Sequence, residues 1–131
     1  MDGKDLSPLL FGGRMSERNI YWHFPIYLEA YNPKVDGGRD PLFRTRPGAV
    51  VRQGRWKLHE YFEEEALELF DLEEDIGETK NIARKHPEKV KELFNALITW
   101  RKEVKAIMPR GVNELFDQQY MYSLYDSLKG Y

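Results

Sequence analysis

The chain of 131 residues contains no cysteine, which removes a thiol nucleophile, thiolate metal sites and disulfides together. Chemistry therefore falls to histidine, arginine and carboxylate side chains. Imidazole exchanges protons near neutral pH, and the three histidines are His23, His59 and His86. His23 lies beside a long charged loop, from which it could contact a bound anion; a half-buried histidine bonded within its own strand is the competing reading. His59, between Lys57 and Tyr61 on one strand face, and His86, just ahead of a helix, read as structural. Arg39, Arg44 and Arg46 belong to the loop itself, and their guanidinium forks match the geometry of sulfate and carboxylate. Asp36 and Asp40 in the same loop could instead neutralise these cations, so an anion contact and a solvated loop both stand. The run Glu63-Glu64-Glu65 does not offer the converging oxygens of a calcium site and reads as a solvated turn.

These side chains need elements to hold them. Asn19-Ile20-Tyr21-Trp22-His23-Phe24 alternates as a strand, with Ile20, Trp22 and Phe24 on one face and Asn19, Tyr21 and His23 on the other, until Pro25 withholds an amide. From Pro25 to Pro47 no period is sustained, and the stretch reads as a long loop of the kind that is functional or mobile. Ala49 to Arg52, a turn at Gln53-Gly54, and Arg55 to Phe62 read as a hairpin in which Trp56, Leu58 and Phe62 share a face. Ala66 to Leu72 would pair back as a further strand. Pro87 suits the first turn of a helix running to about Lys105, along which Val90, Leu93, Phe94, Leu97, Arg101 and Val104 form one stripe. The fold class is therefore α+β: a small antiparallel sheet of about four strands with one long C-terminal helix packed on one face. Residues 1–18 read as a linker with a docking point at Leu9-Leu10-Phe11, 19–109 as the folded unit, and 110–131 as a Tyr-rich tail.

Composition bounds the partners. Hydrophobic residues at 41% and charged residues at 32% are those of a folded, soluble chain rather than a disordered one. A formal net charge of −2 supplies no positive field to draw the whole molecule onto nucleic acid or an anionic membrane. No apolar run approaches the roughly 20 residues that span a bilayer. Met1-Asp2-Gly3-Lys4-Asp5 lacks the pattern of a signal peptide, so a periplasmic or secreted parent would carry its address outside this chain.

Five segments in order carry a resemblance: Asp2 to Leu10, Tyr21-Trp22-His23-Phe24-Pro25, Arg46-Pro47-Gly48-Ala49-Val50-Val51-Arg52-Gln53-Gly54-Arg55-Trp56-Lys57-Leu58, Leu67-Glu68-Leu69-Phe70-Asp71-Leu72, and Asp75-Ile76-Gly77-Glu78-Thr79-Lys80-Asn81. Over residues 2–109 the chain resembles the C-terminal end of bacterial type I sulfatases, the formylglycine-dependent, arylsulfatase-like family. The resemblance implies a large α/β domain elsewhere that holds Ca²⁺ and a formylglycine made from Cys or Ser in a Cys/Ser-x-Pro-x-Arg motif. Thr45-Arg46-Pro47-Gly48-Ala49 approaches that motif without its oxidisable residue or closing Arg. The expectation is a sulfatase C-terminal subdomain that completes the fold and one wall of the substrate cleft, with neither catalytic nor metal-ligating residues of its own. His23, Arg44 and Arg46 are the candidate substrate contacts. The implied partners are the N-terminal catalytic domain, a sulfated glycan and, for the isolated chain, a second copy. A stand-alone glycan-binding or protein-interaction module is the alternative.

Overall fold

A computed structural model describes residues 5–29 and 43–111. Arg39, Asp36 and Asp40 of the charged loop, and the Tyr-rich tail beyond Gly111, lie outside the described residues. A short exposed helix, α1 (Ser7–Leu10), is followed by β1 (Asn19–Phe24), β2 (Leu28–Glu29), β3 (Phe43–Thr45), β4 (Gly48–Gln53), β5 (Trp56–Tyr61) and β6 (Ala66–Asp71). A single 3₁₀ turn over Ala83–Lys85 then leads into the long helix α2 (Pro87–Glu103). Strands β1, β4, β5 and β6 form one antiparallel sheet in the order β1-β4-β5-β6. The α+β architecture expected from the sequence is the one observed.

Two differences lie within the loop and the hairpin. Inside the stretch read as structureless, β2 and β3 pair as a two-stranded ribbon, Leu28 opposite Thr45. The hairpin turn falls one residue later than read, with Gln53 still paired to Trp56 and Gly54 and Arg55 forming the loop. Gly54 has φ +55, a positive value that costs glycine nothing. Gly48 answers a different need. A Cβ there would lie 2.6 Å from the Glu60 carbonyl oxygen, so only glycine lets the two strands meet at this point.

Register sorts the side chains onto two faces. On one, Tyr21 stands beside Val51, Val51 beside Leu58, and Leu58 beside Leu69, and this row meets α2. Val51, Leu58, Leu69, Leu93 and Leu97 are wholly buried and Ala49 is nearly so, which makes one compact core between sheet and helix. Removing that much apolar surface from water is the main force holding the sheet to the helix. Pro87 sits at the start of α2 as expected, and Val104 caps its end after Arg101 and Lys102, whose charges suit the negative helix terminus. Arg101, the one charged member of the helix stripe, meets Glu60 at 2.8 Å and 3.3 Å through its two Nη atoms. The pair is largely withdrawn from solvent, so each charge depends on the other.

Face assignment on β1 runs against its hydrophobicity. The alternation is as read, but it is Asn19, Tyr21 and His23 that are half-buried, while Ile20, Trp22 and Phe24 are exposed. Tyr21 explains this, since its ring stacks on Trp100 of α2 with centroids 4.7 Å apart and planes 4° from parallel.

The segment after β6 turns back along the sheet. Asp71 receives a two-pronged contact from Arg55 and the backbone amide of Glu73. Asp75 accepts from Thr79 Oγ1 at 3.0 Å and the Lys80 amide at 2.7 Å, and Asn81 Oδ1 accepts from the Leu69 and Ala83 amides. Asp71 and the residues of the last resembling segment are thus turn-builders that carry the chain from β6 to α2, while Leu67 to Phe70 belong to β6 itself.

Candidate functional site

The face of the sheet opposite α2 splits into two halves. Over β5 and β6 it is closed by Glu78, which takes a positive φ of 54° and reaches Lys57 Nζ at 2.5 Å and His59 Nε2 at 2.7 Å. His59 also meets the Phe70 ring edge-on at 5.5 Å, and Phe70 is buried although it lies on this side. Burial foremost, then the neighbouring Lys57 charge, holds the His59 imidazole below its ordinary value against the opposing pull of Glu78. Burial would raise the Glu78 carboxyl, but the Lys57 bond and charge and the His59 contact outweigh it and leave the group below its ordinary value. The polar groups of this cluster satisfy one another, His59 being bonded within the sheet face.

Over β1 and β4 the same face is open. Ile20, Trp22 and Phe24 remain 39%, 48% and 38% exposed, against none for the core leucines. Beside them is a shallow depression, partly open to solvent, walled by Trp22, Phe24, Val50 and Tyr61 and edged by Thr45, Arg46 and His59. Aromatic walls with one guanidinium and two hydroxyls at the rim are the chemistry of a site that could take a flat, hydroxylated, anionic ligand.

Arg46 is held at this rim. It meets Glu63 at 3.3 Å and Glu64 at 3.7 Å, and Tyr27 donates its hydroxyl to Glu63. Burial, then the Glu63 hydrogen bond, pushes the Tyr27 phenol up to about 12. The acidic turn is exposed as read, and through Glu63 and Glu64 it also holds Tyr27 and Arg46, which flank the two strands of the ribbon. Arg44 is exposed on β3. His23 is elsewhere: it points to the helix side, where its Nε2 lies 2.7 Å from the Ile107 carbonyl oxygen and its ring is 5.6 Å from Phe62. His23 Nδ1 is buried with no partner among the described residues. Of the three residues expected from the sequence, Arg46 lines the depression, Arg44 belongs to the adjoining ribbon, and His23 faces away. Sequence reading missed Trp22, Phe24 and Tyr61 as wall residues; the signal was the i, i+2 spacing of two aromatics on a strand whose inner face had another anchor in Tyr21.

A calcium ion or a formylglycine finds no fit among these residues. Glu63 is shared by Arg46 and Tyr27, and Glu64 lies beside Arg46. No group of three or more His, Asp or Glu side chains among the described residues is placed to hold a metal ion. Thr45, at the position nearest a nucleophile motif, donates to the Arg46 carbonyl. Among the described residues no helix is long and apolar enough to cross a membrane.

Comparison with known proteins supports the resemblance read from the sequence. The whole chain aligns with a protein named Sulfatase from Formosa agariphila, at 26% identity over 144 aligned positions. The chain spans 23% of that relative's length. No family model matches the chain.

Proposed function

We propose that this chain is the C-terminal subdomain of a sulfatase, a sulfuric ester hydrolase, in which it completes the fold and forms one wall of the substrate cleft. The observation that carries the reading is the whole-chain similarity to a sulfatase more than four times as long. The nucleophile and metal would reside in the remaining polypeptide. In this reading Arg46 and Arg44 contact the sulfated substrate, Trp22, Phe24 and Tyr61 supply the apolar wall, and His23 serves the wall from behind by clamping the segment after α2. The depression with its aromatic walls also favours a second reading, a glycan-binding module that acts without a catalytic partner.

Two assays test the proposal. The purified chain should turn over no aryl sulfate, with or without Ca²⁺; reproducible turnover lost on His23→Ala would overturn the division of labour. Deleting the aligned segment from the Formosa agariphila protein should abolish its soluble expression or its hydrolysis of sulfate esters. Full activity after deletion would remove the case for a fold-completing role.

A further inference from the structure

The two edges of the four-stranded sheet are finished differently. Along β6 the returning chain blocks the edge: the Leu69 carbonyl accepts from the Ile82 amide at 2.9 Å, and the Leu69 amide donates to Asn81 Oδ1. Among the described residues β1 pairs with β4 alone, so its outer edge is open over six residues in unbroken register. Natural sheets protect such edges with lysine, proline, a bulge or an inward charge. Asn19-Ile20-Tyr21-Trp22-His23-Phe24 contains no Lys, Arg, Asp, Glu or Pro, and it exposes Ile20, Trp22 and Phe24 on one face.

We propose that this edge is a self-association site, at which β1 of a second copy continues the sheet in antiparallel pairing centred on Trp22. The register follows from symmetry. A twofold axis perpendicular to the sheet keeps each copy's apolar face on the same side, so opposed residues must have the same parity. Centring on Trp22 sets the two Trp22 rings side by side and Ile20 against Phe24, and it puts Tyr21 against His23 on the helix side. Any other same-parity register shortens the overlap or takes Trp22 away from its aromatic counterpart. A second copy brings the same open backbone edge and sets its own Ile20, Trp22 and Phe24 beside those of the first, so the apolar stripe continues across the junction. The three exposed side chains amount to roughly 300 Å² per copy, which with the backbone edge places the contact among small, reversible interfaces. The inference concerns the chain itself and stands apart from its assignment to a sulfatase.

Sedimentation of the wild-type chain across a concentration series should show a reversible monomer–dimer equilibrium in the micromolar to sub-millimolar range. Trp22→Lys should weaken it by at least about tenfold. Lys91→Glu, on the outer side of α2, should leave it unchanged. Hydrogen exchange on the wild type supplies a readout that needs no variant: β1 amides should exchange more slowly as concentration rises, while α2 amides do not change. A strictly monomeric chain at millimolar concentration, a dimer indifferent to Trp22→Lys in a folded variant, or β1 exchange independent of concentration would each overturn the proposal.

Discussion

The two faces of the four-stranded sheet both carry large apolar side chains, yet only one of them is a core. On the helix side Val51, Leu58 and Leu69 interlock with Leu93 and Leu97 and lose all contact with solvent. On the other side Ile20, Trp22 and Phe24 stay open beside a depression whose rim is set by an ion-paired arginine. Hydrophobicity of a strand face therefore does not decide which way it turns. Tyr21 is less apolar than Trp22, but it finds a parallel stacking partner in Trp100, and that contact orients β1. Side chains that the fold does not need in its own core are thereby left for another surface.

If the helix side holds the fold, the largest effects of mutation belong there. Leu97→Ala, which empties a wholly buried position, should cost about 2–5 kcal/mol in denaturant unfolding. A loss under about 1 kcal/mol would mean that α2 is not packed as described. Next in size is Arg101→Met, which leaves Glu60 without its cation in a site shielded by Phe62 and the helix; about 1–3 kcal/mol should be lost. Glu60→Gln combined with Arg101→Met should recover part of that loss, and strict additivity would show that the pair is not coupled.

A smaller, pH-dependent effect separates the covered half of the open face from its exposed half. The folded chain holds His59 below its ordinary value of 6.5, so the unfolded chain binds that proton more readily. Stability is then full above pH 6.5 and declines as the pH falls below it toward the depressed value. The depressed Glu78 carboxyl adds a second loss on the same side, its contribution being present above pH 4.5 and lost as the pH falls further. Melting temperature measured against pH should show the first decline in the wild type and not in His59→Gln. Smallest of all should be Trp22→Ala, at about 0.5 kcal/mol or less in the monomer, because an open side chain contributes little to the fold. A cost near that of Leu97→Ala would erase the contrast between the faces.

Much of this arrangement was legible in the sequence. Period-two alternation in Asn19–Phe24, the Gly54 hairpin and the Val90–Leu93–Leu97 stripe each bind one element to one physical cause, and each is found within a residue of its expected place. The site was less so. Arg46 could be named as an anion contact, but not its attachment to Glu63 and Glu64, which depends on β3 bringing residues 17 or more positions apart to one corner. The place of His23 was also hidden, because the choice between strand faces rests on Tyr21 meeting Trp100, 79 positions further along the chain from it. Local pattern sets the alternation; a distant ring sets its sign.

The helix side makes the fold, and the proposed function gives the open side an anionic, sugar-like ligand. Amide chemical shifts followed while a sulfated oligosaccharide is titrated into the labelled chain test this most directly. Weak binding is expected, with shifts gathered at Trp22, Arg44, Thr45, Arg46 and Tyr61 and diminished by Arg46→Gln and by added salt, since exposed charge contacts are screened over about 8 Å at physiological ionic strength. Shifts gathered instead around Tyr21, His23 and Trp100, or none at millimolar ligand, would contradict it.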